Sequence, residues 1–353
     1  MKGIRKITPY VPGEQPNYSD MIKLNTNENP YPPSPKVAES LKKFDVERLK
    51  RYSSIDNLSL KKALSAKHNL SPDHFLIGNG SDEVLAFCFL AFFNSSDPIL
   101  FPDITYGFYK VWADLFQIPF KEVPLNNNFE LVEEDYTQLN GGIIIANPNA
   151  PTGLFKPLEE IEHLLKDNQD VIVIIDEAYI DFAGQSAISL LDRYPNLIII
   201  RTFSKANSLA GLRVGYAIGN PAYIQIAENI KSSFNPYSVD MLAEDLATAA
   251  VEDEAYYAGI TKDICETRDW FSKNIEKSGF SSLVSKTNFV LITHPDLIIK
   301  ELYLYLEAHN IFVRYFPKIK RLNNYLRISI GTQKEMEAVN QLLNRFVKET
   351  KNS

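Results

Sequence analysis

The stretch VIVIIDE, residues 171–177, holds five consecutive β-branched aliphatic residues followed by two carboxylates. A strand with one wet face alternates polar and apolar residues, so an unbroken run of this kind reads as a strand buried on both faces of a parallel sheet. Working outward, similar short runs recur at 99–101, 142–146, 197–200 and 214–218, separated by helix-sized segments. Strands alternating with helices predict an α/β fold with a large, mostly parallel sheet. Residues 84–93 are ten apolar residues in a row, about half of what a bilayer crossing needs, and predict a buried helix.

The ends of the chain read differently. Residues 1–35 are rich in proline, asparagine and tyrosine and close on NPYPPSP, where the proline spacing forbids a helix or a central strand. This segment is expected to be an extended arm packing with a small C-terminal domain. Residues 36–240 are expected to form the large α/β domain, and 241–353 the small α+β domain. The second boundary is drawn inside a charged helical stretch at 239–278, with strands expected at 288–292, 311–314 and 325–330.

With 353 residues the chain is long enough for two sizeable cores. It is 45% hydrophobic and 23% charged, outside the disordered and fibrous classes. A formal net charge of -7 repels nucleic acid and anionic membrane surfaces, so neither is expected as a partner. Only two cysteines occur, Cys88 and Cys265, far apart and without CxxC spacing. Residues 1–13 lack the apolar centre of a secretory signal, and a cytoplasmic location is expected.

VIVIIDE resembles the magnesium-binding strand end of a P-loop ATPase, but that chemistry needs a GxxxxGK[ST] loop and the dipeptide Gly-Lys is absent from the chain. Neither GxGxxG, GxSxG nor HExxH occurs, and the five histidines are too scattered to suggest a metal site. What remains is a set of polar groups at the ends of successive apolar runs, where open α/β sheets build their sites. GNGSDE (78–83) opens the helix at 84 with two glycines and a Ser/Asp cap, which is either a phosphate cradle or a plain capped helix start. Asp176 ends the most apolar strand and needs a partner for its charge, with Tyr179 three residues on. Lys205 follows Ser204 beyond the run at 197–200, where desolvation would make its amine a nucleophile, and Arg213 lies eight residues further. A carboxylate for a pyridine nitrogen, a phenol for a ring oxygen, a lysine for an aldehyde, and serine, arginine and a helix N-terminus for a phosphate together describe pyridoxal 5'-phosphate.

These residues sit in stretches that carry a family resemblance: LNTNENPYPPSP (24–35), KRYSS (50–54), GNGSDE (78–83), TYGFY (105–109), ANPNAPTG (146–153), DEAYIDF (176–182), RTFSKANSLAGLRVGY (201–216) and YLRISIGT (325–332). In this order and spacing the chain resembles the fold-type I pyridoxal-phosphate-dependent aminotransferases, and among them the histidinol-phosphate aminotransferase family. The resemblance implies that Lys205 carries the cofactor and moves a proton, that Asp176 pairs with the pyridine nitrogen and that Tyr179 bonds the ring oxygen. It implies phosphate contacts from Ser81, Asp82, Ser204 and Arg213, a ring-stacking role for Tyr106, and a contact from Tyr52 to the cofactor of a neighbouring subunit in a homodimer. Arg327 and Arg314 are implied as anion ligands for substrate, and Asn29 as a further substrate residue. The family's ring-oxygen asparagine is replaced here by Ala150, so the resemblance leaves two expectations: Asn149 stands in for it, or Tyr179 acts alone. The implied reaction exchanges the amino group of L-histidinol phosphate with 2-oxoglutarate, giving imidazole-acetol phosphate and L-glutamate in histidine biosynthesis. An aromatic amino-acid aminotransferase, a threonine-phosphate decarboxylase and a non-catalytic regulator on the same fold are the rival readings.

Overall fold

A computed structural model describes residues 3–10, 13, 15–16 and 20–351. Its thirteen strands, in chain order, are β1 (Ile22–Lys23), β2 (Phe75–Gly78), β3 (Ile99–Pro102), β4 (Phe120–Val123), β5 (Ile143–Ala146), β6 (Val173–Asp176), β7 (Leu197–Thr202), β8 (Gly215–Gly219), β9 (Ser281–Ser282), β10 (Phe289–Thr293), β11 (Ile311–Phe312), β12 (Arg314–Tyr315) and β13 (Leu326–Ser329). Seven of them form one sheet in the order β2-β8-β7-β6-β5-β3-β4. All neighbours pair in parallel except those of β8, which runs antiparallel to both β7 and β2. The expected mostly parallel α/β sheet is therefore present.

The aliphatic run that announced the sheet explains its burial. Val173 and Ile175 point into one hydrophobic cluster and Ile174 into the other, so the strand has no wet face. The cluster on the Ile174 side contains the helix Gly80–Phe92, whose Val84, Leu85, Phe87 and Phe89 are fully buried. Each such side chain contributes about 1.5–3 kcal/mol through removal from water. That burial fixes the helix against the sheet and so fixes the position of its N-terminus.

A four-stranded antiparallel sheet, β12-β13-β10-β9, packs with the helices Glu254–Glu276, Ile299–Ala308 and Gln333–Lys351 around a separate cluster. Residues 22–24 of the arm lie against this smaller unit, where β1 pairs in parallel with β11 and the Ser329 N–H donates to the Leu24 carbonyl, whereas Tyr10 stacks on Phe108 of the large unit. One detail of the sequence reading is corrected. Residues 239–278 do not form a single helical stretch but two helices, Met241–Val251 and Glu254–Glu276, the first capped by the Asp240 carboxylate accepting from the Ala243 N–H at 2.8 Å. The shorter helix buries Ala243, Leu246, Ala247 and Ala250 against the large sheet's cluster, so its apolar face belongs to that unit and not to the small one. Two strands with no expectation behind them, β2 and β4, complete the large sheet. Both cysteines are free, and burial pushes the Cys88 thiol up to about 12. Among the described residues no helix is long and apolar enough to cross a membrane.

Candidate active site

The C-terminal ends of the central parallel strands lie level, Ala146 beside Asp176 and Asp176 beside Ile200. A cavity of about 360 Å3 opens there, lined by Ala146, Asp176, Tyr179, Thr202, Ser204 and Lys205 from these strand ends and by Ser81, Asp82, Tyr106 and Arg213 from around them. Open α/β sheets place their ligands at this edge because the loops after successive strands diverge there.

Asp176 is buried, and its two oxygens have separate partners. Oδ2 accepts from the Tyr109 hydroxyl at 2.7 Å and Oδ1 from the Ala178 N–H at 3.1 Å. Burial nonetheless raises its pKa to about 6, because desolvation of the charged form outweighs these two bonds. A cation placed against this carboxylate would offset that cost. Behind it, Glu177 is buried in an ion pair with Arg201 (Oε2 to Nε, 3.0 Å) and accepts from Ser186 and Ala187, which braces the turn carrying Tyr179.

Lys205 reaches into the cavity with Nζ 5.6 Å from the centre of the Tyr179 ring and donates to the Thr26 carbonyl at 3.3 Å. Asn29 was expected to face substrate. Its amide instead donates to the Lys205 and Ala206 carbonyls at 3.0 and 3.2 Å, while its oxygen accepts from the Tyr31 N–H, so it clamps the lysine's loop and does not line the cavity.

The helix at Gly80 opens into the cavity beside Arg213. Gly80 has a φ of +79°, and a Cβ there would run into the Arg213 guanidinium, while a Cβ on Gly215 would strike the Ser81 backbone N–H. Two absent side chains therefore let an arginine and a helix N-terminus share one small space, an arrangement suited to an anion. The Asp82 carboxylate holds this cradle from the side, accepting from the Tyr106 hydroxyl at 2.7 Å and pairing with Arg213 at 3.2 Å.

Asn149 does not replace the missing ring-oxygen asparagine. Its amide donates to the Ile104 carbonyl and to Thr152, and its oxygen accepts from Thr105, so its polar atoms are taken up by its own turn and by the loop after β3, while Ala150 lines the cavity. Arg327 is stacked over Phe289 and Phe316 and donates to the Asn25 carbonyl at 3.0 Å, and burial lowers its pKa. Its Nε is buried without a hydrogen-bond partner among the described residues, which leaves donor capacity for an anion. Arg314 lies in register with Arg327 on the neighbouring strand. Tyr52 is 81% exposed, stacked on Tyr237, and does not reach its own chain's cavity.

Sequence reading passed over four contributors. Tyr109 follows Tyr106 by three residues at the start of a helix, a spacing that places both on one face and could have flagged it. Tyr10 stacks on Phe108 at 4.3 Å, and burial raises the pKa of its hydroxyl. Thr26 and Asn27 enter from the arm; both lie in the LNTNENPYPPSP stretch, which gave neither a role of its own. The assembled donors, a buried carboxylate, a phenol, an amine and an anion cradle, match the charge pattern of pyridoxal 5'-phosphate group by group.

A family model described as "Aminotransferase class I and II" matches residues 19–345. The chain belongs to the class I and II aminotransferases. It is 48% identical over 342 residues to the histidinol-phosphate aminotransferase of Marinomonas sp., covering 96% of this chain and 97% of that one. It is 46% identical over 350 residues to the enzyme of the same name from Lactococcus lactis subsp. cremoris, covering 99% and 98%. Among solved structures, the histidinol-phosphate aminotransferase of Sinorhizobium meliloti in complex with pyridoxal-5'-phosphate superposes with a TM-score of 0.84 at 25% identity, covering 93% of this chain and 91% of that one. In this aminotransferase the fold-type I expectation drawn from the eight motifs is met.

Proposed function

We propose that the protein is a pyridoxal-phosphate-dependent aminotransferase that moves the amino group of L-histidinol phosphate to 2-oxoglutarate, giving imidazole-acetol phosphate and L-glutamate. The observation that carries this reading is the near-full-length identity of 46–48% with relatives bearing that name. The cavity chemistry supports it. Bound pyridoxal 5'-phosphate supplies an electron-withdrawing ring that stabilises negative charge at the amine-bearing carbon.

Each residue of this chain then has a task. Asp176 holds the pyridine nitrogen protonated, since a buried carboxylate without a cation is costly and one with a cation is not. Lys205 Nζ would hold the cofactor's aldehyde carbon and, as a free amine, would take the proton from the amine-bearing carbon of the substrate. Ser81, Ser204, Arg213 and the helix N-terminus hold the phosphate, with Asp82 positioning Arg213 and Tyr106. Tyr179 donates to the ring oxygen. Arg327 and Arg314 clamp the anionic end of either substrate, the phosphate of one and a carboxylate of the other. Tyr52, outside its own cavity, serves the site of a second copy, which makes the working unit a homodimer, and the reading places the enzyme in the cytoplasm.

The test is a panel of amino donors with 2-oxoglutarate. L-Histidinol phosphate should be used far better than L-histidinol, because a phosphate carries about -1.5 to -2 charge near neutral pH for the arginines to grip. Equal use of the two, or better use of phenylalanine, would make the protein an aromatic aminotransferase. Release of carbon dioxide in place of transfer would make it a decarboxylase.

A further inference from the structure

With Ala150 in the cavity wall and Asn149 bonded to Ile104 and Thr105 in the loop after β3, the large-sheet side offers one residue, Tyr179, to the ring oxygen of the cofactor. Behind Tyr179 lies a closed hydrogen-bond chain that begins 152 residues earlier in the arm and ends on the small unit. The Asn27 Nδ2 lies 2.9 Å from the Tyr179 hydroxyl oxygen. The Asn27 backbone N–H donates to Ser329 Oγ at 2.9 Å, and Ser329 Oγ in turn lies 3.0 Å from Asn27 Oδ1. The Asn27 carbonyl accepts from the Asn288 amide at 3.0 Å. Asn27 and Ser329 are both buried, at 1% and 2% exposure.

With the Asn27 amide oriented as the structure has it, Oδ1 toward Ser329 and Nδ2 toward Tyr179, the proton positions in this chain follow. The Asn27 backbone N–H is a donor only, so Ser329 Oγ accepts there and its hydroxyl proton is free for Asn27 Oδ1. With Oδ1 identified as the acceptor, the atom facing Tyr179 is the amide nitrogen, which can only donate. The Tyr179 oxygen must therefore accept, and its own proton is left to point into the cavity. A hydroxyl that accepts one hydrogen bond becomes a stronger donor of the next.

Resting on the aminotransferase reading, we infer that Asn27, locked in orientation by Ser329, is a positioning residue that aims and strengthens the Tyr179 hydroxyl toward the cofactor's ring oxygen, making up for the asparagine replaced by Ala150. Because Ser329 stands two residues after Arg327 on β13, the strand that carries the substrate arginine also sets the proton direction of the phenol. Asn27 suits the place for a second reason: its φ is +55°, a left-handed conformation that asparagine tolerates better than most residues.

The experiment is a pH titration of the visible absorption of the lysine-bound cofactor in the intact holoenzyme. A donor on the ring oxygen favours negative charge on that oxygen and so favours the deprotonated linkage, and weakening the donor raises the titration midpoint. Tyr179→Phe should raise it most. Asn27→Gly, which keeps the left-handed backbone and removes the amide, should raise it by roughly 0.3 to 1 pH unit. Ser329→Ala, which keeps the amide but removes what turns it, should shift it the same way by less. In the Tyr179→Phe background the Asn27→Gly change should add nothing, since the two act in series. An unmoved midpoint in Asn27→Gly, or an equal shift with and without Tyr179, overturns the inference. If Asn27→Gly does not retain cofactor, Ser329→Ala decides, and an unmoved midpoint there overturns it too. A wild-type protein with no visible band that depends on Lys205 would instead overturn the aminotransferase reading, a result distinct from any of these.

Discussion

On the large-sheet side of the cavity, Asp176, Tyr179, Ser204 and Lys205 fall between positions 176 and 205, at the ends of two adjacent strands. On the opposite side, Asn27 meets Ser329 and Asn25 meets Arg327 across 302 residues of sequence. The first side is made of groups that hold or move protons on a rigid sheet edge. The second is made of cationic and amide groups contributed by the arm and the small unit. The contrast teaches that one wall is suited to the chemistry shared by all substrates and the other to gripping whichever anion arrives.

Variants on the two walls should therefore fail in different ways. The largest effect is expected at Lys205→Ala, which should lower turnover by roughly 10^4-fold or more and abolish the visible absorption of bound cofactor. Borohydride reduction and peptide mapping of the native protein should put the label on Lys205, and a label on another lysine would move the chemistry off this wall. Next comes Asp176→Asn, which should keep the cofactor bound yet lower kcat by about 10^3-fold, within the range spanned by misplaced acid-base groups.

Asp176 also offers a test without substrate. Its folded pKa is raised from 3.8 to about 6, so the folded state favours the protonated form, and stability is lost as pH rises from about 4 to about 6. Cofactor-free Asp176→Asn should lack that slope and be more stable than native cofactor-free protein at pH 7, by roughly 3 kcal/mol for a shift of about two units, and not at pH 4. Thermal melts at the two pH values check it, and parallel curves would contradict the burial cost.

On the other wall, Arg327→Ala should lower kcat/KM for both half-reactions by about 10- to 100-fold, the worth of a charge-assisted hydrogen bond, while leaving the cofactor's spectrum in place. A loss confined to one half-reaction would show that the two anions use different clamps. The smallest signal is expected from mixing Tyr52→Phe with Lys205→Ala protein: hybrid dimers confine both defects to one site and should recover activity above either parent. No recovery would return Tyr52 to its own subunit.

The strands β5 to β8 were legible because both their faces are dry, which leaves an unbroken aliphatic run. The edge strand β4 was not, since its Lys121 and Glu122 are exposed and interrupt any such pattern. Asp176, Tyr179 and Lys205 stood out because each is a polar group just past a buried strand. Tyr109 and Asn27 both stand inside recognisable stretches, but their partners lie 67 and 152 residues away, and local spacing does not name such a partner. Asn149 misled for a related reason: the motif gave its place in sequence, but hydrogen bonds to Ile104 and Thr105, 45 and 44 residues away, and to Thr152 hold its side chain away from the cavity.

The lone reversed strand has a consequence for how the protein is made. β2 joins the sheet only through β8, which the ribosome delivers about 140 residues later. Until then a nascent chain can possess Asp176, Tyr179 and Lys205 in their final neighbourhood, while Gly80 and Ser81 still wait for Arg213 and Gly215 to arrive beside them. The anion cradle is thus among the latest-closing parts of the large unit, and a chain stalled near residue 210 would hold the reactive groups with no floor beneath them to seat a phosphate.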